Sequence, residues 1–413
     1  MRILQLAGYF FPEKAASIYL EDNRQETFSK AGFYTIVYTS RPQRDLSEEE
    51  YQEYKNRKVE MMYDNHVEVH RFPMYREGKN PVLRALRYFL ISTIQFWKGI
   101  WAKNIDLIYV ASTPPTQGAL AALIKKIKRV PFVYNLQDIF PDSLVGTGLA
   151  KKDGFLWKVG RIIENFTYRN ADKIIVISQD FKKNIMAKGV PEDKIVVVYN
   201  WVDQNAVKDI PRSENKLFAM YDLDPSKFYV TYNGNIGLTQ NMDMLLEVAK
   251  ALESNDDIHF VLVGNGAYLE QVKQIVTDRN ISNVHLLPFQ PYEDISHVFS
   301  LGDVSLVISK PGVGENSVPS KTWSIMSASR PVLANFDENE LKTIIEENNC
   351  GIFTKAGDKV AFTDAILKLY NDHELCKEYG RNGRQFVMNN LTREAGTKKY
   401  VDVIKSVASQ LQR

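Results

Sequence analysis

Short apolar runs recur along the first half of the chain, at residues 2–7, 34–39, 67–71, 107–111, 132–137, 173–178 and 195–199. Segments with helical apolar spacing stand between them, as at 18–31 and 118–126. This alternation is the βαβ rhythm of a parallel sheet. The acidic and basic stretch 41–57 reads as an exposed excursion. The rhythm breaks over 203–217, where Pro211 and the run SENK intervene, and restarts at 229–233, so an interdomain linker is placed there. Two amphipathic helices are expected late in the chain, at 359–371 and 375–389. At 413 residues the chain exceeds what one compact core usually holds, and two Rossmann-like α/β domains are expected, 1–205 and 206–390.

The second half carries the most informative run. FVLVGNG (260–266) is an apolar strand ending in a Gly-x-Gly turn, and Leu269, Val272 and Val276 then give helical spacing. Two further strands follow, NVHLLPF (283–289) and DVSLVIS (303–309), then a Gly-rich loop and SVPSKTWSIMSASRPVLA (317–334). Pro319 is placed to open a helix with Lys321 in its first turn. Gly264 and Gly266 would let the backbone approach a ligand closely, and the helix beyond offers N–H groups to an anion. A nucleotide diphosphate would suit that arrangement. Taken singly, a Gly-x-Gly also serves as a plain tight turn and a first-turn lysine as a solvated charge. The order of elements favours the ligand reading, because both loops then fall at the C-terminal edge of one parallel sheet, where open α/β sheets bind ligands.

The net charge of +2 conceals an asymmetry: residues 1–205 hold 30 Lys and Arg against 23 Asp and Glu, leaving 22 against 27 for the rest. The two cysteines, Cys350 and Cys376, imply neither a disulfide framework nor a cysteine metal site, and a reducing cytoplasm fits. MRILQLAGYFF lacks a small-residue cleavage site and reads as a first buried strand rather than a signal peptide. Residues 79–104 are rich in Leu, Ile and aromatics, but Arg84, Arg87 and Lys98 leave too short an uncharged run to span a bilayer. Phe89, Phe96, Trp97 and Trp101 beside these cations suit the interface of an anionic membrane, and an ordinary helix packed on the sheet is the alternative.

Several stretches resemble the nucleotide-sugar glycosyltransferases of family 4, which have the GT-B architecture of two Rossmann-like domains facing across a cleft. They are ADKIIVISQDFKKNIMAKGVPEDKIVVVYNWVD (171–203), NGNIGLTQNMDMLLEVAKAL (233–252), FVLVGNG onward to 309, and VPSKTWSIMSASRPVLA (318–334). YFFPEKAAS (9–17) and QDIFPDS (137–143) extend the resemblance to nearly the whole chain. The branch it is most similar to builds bacterial surface polysaccharides, including capsule and O-antigen, with L-fucosamine-type and N-acetylhexosamine transferases. The resemblance implies that residues 391–413 cross back to the N-terminal domain, and that the N-terminal domain takes the acceptor at the inner face of the cell membrane.

It also implies roles for single residues. A departing nucleotide diphosphate needs its negative charge stabilised by a metal, helix N-termini, or Lys and Arg. The Asp-x-Asp at 222–224 reads as a turn before Pro225, so no catalytic metal and no cofactor beyond the UDP-sugar donor are expected. The family's Arg and Lys after the first strand of the second domain are replaced here by NGNIGLTQ, whose Asn235, Gly237 and Gln240 offer neutral donors. Lys321, with Lys310 in reserve, is then the expected phosphate-binding charge. Ser320 belongs to the Pro-Ser-Lys form of the donor segment, and Ser324 aligns with the family's ribose-binding Glu. Glu315 is a candidate for the donor sugar hydroxyls. Phe289 matches the position whose backbone reads the base, with Asn265 and Gly266 flanking the uridine or phosphate. On the acceptor side, Ala15, Ala16 and Ser17 replace a Gly-Gly loop, Asp138 is placed to orient or deprotonate an acceptor hydroxyl, and Asp142 to cap a helix.

The expectation is therefore a retaining, metal-independent transferase, cytoplasmic and peripheral on the membrane. It would move an N-acetylated hexosamine or deoxyhexosamine from a UDP-sugar to a polyprenyl-diphosphate-linked saccharide, with no nucleic-acid partner. A UDP-sugar epimerase on the same double-Rossmann plan and a non-catalytic partner that keeps the fold are the alternatives.

Overall fold

The computed structural model describes residues 1–13, 18–43, 46–75, 81–146, 150–314 and 318–410, without the side chains of residues 81, 82, 84, 85, 146 and 410. The chain divides into two compact units, Met1–Tyr199 with Gly396–Arg413, and Asn200–Ala395. It leaves the first unit ahead of the boundary expected at 205. The physical reason is that Val202 already bridges Thr392, and the Lys208 N–H donates to Ser296 Oγ at 2.9 Å.

The first unit holds an eight-stranded sheet of β1 (Arg2–Leu6), β2 (Tyr34–Ser40), β3 (Val59–Met62), β4 (Val67–Phe72), β5 (Leu107–Ala111), β6 (Phe132–Leu136), β7 (Lys173–Val176) and β8 (Ile195–Val197). Their order is β3-β4-β2-β1-β5-β6-β7-β8, parallel except for the β3–β4 pair. Central strands such as β5 and β6 are buried almost along their whole length, which is why they appear in sequence as mostly apolar runs. The stretch read as an exposed excursion contains a helix, Glu48–Lys55, closed by a Ser47/Glu50 capping box. It leads into β3, an edge strand.

The second unit holds β9 (Phe228–Asn233), β10 (Ile258–Val263), β11 (Val284–Leu287), β12 (Val304–Ile308), β13 (Val332–Phe336) and β14 (Gly351–Lys355). All six are parallel, in the order β11-β10-β9-β12-β13-β14. Numbered within the unit this is 3-2-1-4-5-6, the doubly wound order whose direction reverses between the first and fourth strands. The loops after β9 and β12 therefore diverge at the C-terminal edge and leave a crevice. The core beneath is built from alternate residues of β9 (Phe228, Val230, Tyr232) with Met242, Leu245 and Leu246 of the following helix.

Among the described residues no helix is long and apolar enough to cross a membrane. The helix Pro81–Trp101 is instead inverted. Arg87, Ile91 and Gln95 are fully buried, while Phe89 is 66% and Trp101 75% exposed. Arg87 earns its place by donating from Nε to the Tyr75 carbonyl at 3.1 Å, and Gln95 by donating to the carbonyls of Ala7 and Tyr38.

Candidate active site

The crevice of the second unit is lined by residues from three strand ends. Thr239 and Gln240 follow β9, Ser309 follows β12, and Pro319 and Lys321 lead the helix Lys321–Ser327; with Gly314 and Phe336 they surround a cavity of about 130 Å³. The Lys310 N–H donates to the Thr239 carbonyl at 2.8 Å and so ties the two diverging loops together. Lys321 is half-buried, with Nζ 3.9 Å from the centre of the Tyr232 ring. It has no carboxylate partner among the described residues, and burial pushes its ammonium down to about 7. A desolvated cation held on an aromatic face with no counter-ion is prepared for an anion. Lys310 lies farther out, with Nζ 5.5 Å from the Tyr268 ring centre.

Glycine at 234 is what lets Lys321 sit there. Gly234 has φ +128°, and a Cβ on it would stand 3.2 Å from Lys321 Nζ. The same geometry gives Gly264 and Gly266 a packing task. A Cβ on Gly264 would lie 1.9 Å from the Gly234 carbonyl oxygen, and one on Gly266 would lie 2.2 Å from that of Ile236. These glycines allow the β9 and β10 loops to pack backbone on backbone, and the space they leave is filled by protein. The contact is sealed by Ile236 N–H to the Asn265 carbonyl at 2.9 Å and Tyr268 N–H to the Ile236 carbonyl at 3.0 Å.

The oxygens of the neutral residues shape the loops, and the Gly237 and Gly266 N–H groups are spent on two of them. Asn265 Oδ1 accepts from its neighbour Gly266 N–H at 2.8 Å, the Asn235 carbonyl accepts from the Tyr232 hydroxyl at 2.7 Å, and Gln240 Oε1 accepts from Gly237 N–H at 3.0 Å. The hydroxyls of Ser320 and Ser324 form no hydrogen bond within the described residues, and the helix begins at Lys321, just after Pro319 and Ser320. Phe289, beyond β11, is 73% exposed. Ser309 was not anticipated. It is 4% exposed, its Oγ is buried without a partner among the described residues, and it lines the cavity with Lys321. Asp222 and Asp224 form a turn, with Asp222 at φ +52° and Asp224 Oδ1 accepting from Ser226 N–H at 2.8 Å. Glu315 and Ala16 lie outside the described residues.

In the first unit, β6 ends at Leu136 and delivers Asp138 at the C-terminal edge. Ser112, buried at the end of β5, accepts on one oxygen from both the Gln137 N–H (3.0 Å) and the Asp138 N–H (3.1 Å) and so fixes the turn. Asp138 accepts from Ser143 Oγ at 3.0 Å. Although the residue is exposed, desolvation by the surrounding protein pushes its carboxyl above the ordinary range, against the Ser143 hydroxyl and the Ile139 N–H that favour the charged form. Asp142, expected as a helix cap, stands at the start of the short helix Asp142–Gly146 and pairs with Lys188 at 2.7 Å.

Residues 25–206 match the family described as Glycosyltransferase Family 4, and residues 213–386 match Glycosyl transferases group 1. The chain belongs to the family 4 glycosyltransferases. Among relatives of this family 4 transferase, the probable glycosyltransferase WbjE of Pseudomonas aeruginosa is 23% identical over 314 residues, 75% of this chain and 76% of the relative. The putative colanic acid biosynthesis glycosyl transferase WcaI of Escherichia coli K12 is 27% identical over 208 residues, 50% of this chain and 51% of the relative. Among solved structures, Anabaena Alr3699/HepE in complex with UDP matches 98% of this chain and 100% of its own at a TM-score of 0.73 and 18% identity. WaaG, a glycosyltransferase involved in lipopolysaccharide biosynthesis, matches at a TM-score of 0.67 and 13% identity. These likenesses establish the GT-B fold. Within it, the segment NGNIGLTQ (233–240) after the first strand of the second unit holds no Lys or Arg, and Lys321 supplies a cation from the other side of the crevice.

Proposed function

We propose that this glycosyltransferase binds a UDP-sugar in its second unit and transfers an N-acetylated hexosamine or deoxyhexosamine, with retention, to a polyprenyl-diphosphate-linked saccharide of a bacterial surface polysaccharide. The observation that carries the donor half is Lys321, a desolvated ammonium with no counter-ion among the described residues, at the edge of a cavity at the sheet's reversal point. In this reading Lys321 neutralises the diphosphate as the sugar leaves, with Lys310 in reserve and no divalent ion. Ser309, Ser320 and Ser324 offer hydroxyls to the phosphate, sugar or ribose, and the exposed Phe289 segment receives the base. The UDP held by Anabaena Alr3699/HepE, and its complex with UDP-glucose, support the donor class. WbjE, WcaI and the Staphylococcus aureus capsular polysaccharide transferase CapM support the product class.

The acceptor half rests on Asp138, whose raised carboxyl stands at the C-terminal edge of the first unit's sheet. It orients the acceptor hydroxyl, while the departing phosphate takes the proton on the same face. The outward apolar face of Pro81–Trp101 rests on the anionic inner leaflet and brings the enzyme to its lipid-linked acceptor.

Purified protein incubated with a panel of UDP-sugars and a polyprenyl-diphosphate disaccharide tests the proposal. UDP release that requires both substrates, with the α-configured donor giving an α-linked product, is expected. Isomerisation of the UDP-sugar without acceptor would replace this reading by the epimerase.

A further inference from the structure

We propose that the helix Phe155–Asn170 is a second lipid-facing element, which with Gln117–Lys128 beside it widens the bilayer contact of the first unit beyond Pro81–Trp101. The proposal rests on the membrane reading above and extends it to surface which that reading does not use.

Phe155–Asn170 is inside out. Its outward stripe is apolar, with Phe155 80%, Leu156 60% and Ile162 69% exposed. The face turned to the protein carries Gly160, Glu164, Thr167 and Tyr168. A helix packed on a sheet in water shows the reverse pattern. The buried Glu164 is fully occupied: it accepts from Tyr168 at 2.7 Å and pairs with Lys188 at 2.9 Å and with Arg161. That inner face is held for a structural purpose, since a Cβ on Gly160 would meet Pro141 at 2.7 Å. The helix therefore rests directly on the segment that follows Asp138.

Gln117–Lys128 packs between Pro81–Trp101 and Phe155–Asn170. It continues the apolar surface with Leu123 (43% exposed) and Ile127 (54%). Exposed apolar side chains thus recur on three neighbouring helices, and apolar side chains grouped on one surface mark an interaction site.

Charge selects the occupant. Pro81–Trp101 and Gln117–Lys128 contain no Asp or Glu, and the only acid of Phe155–Asn170 is the buried Glu164. Lys126, Arg129 and Lys158 are exposed on or beside these helices, Lys151 and Lys152 precede the third, and Asp153 stands with them in the turn. Aromatic and aliphatic side chains among cations, on helices without an exposed carboxylate, are complementary to an anionic lipid surface.

The test is co-sedimentation of the full chain with vesicles of phosphatidylcholine alone or with about one-third phosphatidylglycerol, a lipid share that gives a strongly anionic surface. The combined change Phe155→Ser, Leu156→Ser, Ile162→Ser is compared with Trp97→Ser, Trp101→Ser, with circular dichroism and thermal unfolding as the control for folding. The proposal expects anionic vesicles to bind wild type, and the triple change to weaken binding about tenfold or more with the unfolding transition kept. Should the triple variant bind like wild type while the tryptophan variant does not, this inference falls and the membrane reading stands. Absence of vesicle binding by wild type overturns both, and a loss of self-association in the triple variant with lipid binding unchanged would assign the face to a second copy instead.

Discussion

If the Lys321 ammonium is the charge that receives the donor diphosphate, binding must be linked to proton uptake. Burial holds this lysine at about 7, against an ordinary 10.5, a difference worth roughly 5 kcal/mol between its two forms. In the free enzyme at pH 7 it is about half protonated. A bound diphosphate supplies the missing counter-charge and restores the ordinary value, so binding takes up about 0.5 proton at pH 7 and about 0.9 at pH 8. Affinity should fall about fiftyfold between pH 7 and pH 9. UDP-glucose is the suitable probe, because its diphosphate keeps its charge across this range. Isothermal titration in buffers of different ionisation enthalpy counts the protons directly. Lys321→Met, which keeps the apolar stem over Tyr232, should abolish the uptake and flatten the pH dependence. The sign for the free protein is the opposite of a stabilising pair: the cost of the desolvated charge is full below about pH 7 and fades toward the ordinary lysine value. Lys321→Met should thus raise the melting temperature of the free protein at pH 6.5 and leave it nearly unchanged at pH 10. Binding of UDP-glucose with no proton uptake at pH 8, or with equal affinity at pH 7 and 9, would refute the reasoning.

Three further outcomes follow from the same geometry. Gly234→Ala, at φ +128° and with its Cβ 3.2 Å from Lys321 Nζ, should cost about 1–3 kcal/mol in stability and weaken UDP binding, measured by denaturant unfolding and calorimetry. Ser112→Ala leaves the Gln137 and Asp138 N–H groups without their acceptor; a loss of about 1–3 kcal/mol is expected, with transfer reduced and UDP affinity kept. Asp138→Asn should keep UDP affinity, lower the transfer rate and remove an acidic limb from the rate profile that lies above the ordinary carboxylate range, as its desolvated carboxyl requires. An unchanged profile in that variant would reassign the limb.

Much of the architecture is readable in the sequence because parallel strands buried on both faces leave mostly apolar runs, as at β5, β6 and β12. The edge strand β3 escapes this signal, since VEMM alternates exposed and half-buried positions and pairs only with β4. Within the site, Lys321 is visible from its place after Pro319, but its ring contact with Tyr232 and its need for Gly234 depend on elements far apart in the chain. The glycines of GNG mark a close approach, yet only the fold shows that the neighbour is the β9 loop. Ser309 closes an apolar strand and gives no sign in sequence that its hydroxyl is left unpartnered among the described residues. The inversion of Phe155–Asn170 is hidden for a related reason. Its apolar stripe looks core-facing until the packing of Gly160 on Pro141 shows which side turns inward.

In the proposed reading the second unit holds the donor by its diphosphate through Lys321. A crystal structure of the protein with UDP is the most direct test. The diphosphate is predicted to lie within hydrogen-bond reach of Lys321 Nζ, in the crevice between the loops after β9 and β12. A diphosphate found on a divalent ion away from Lys321, or a nucleotide bound in the first unit, would contradict it.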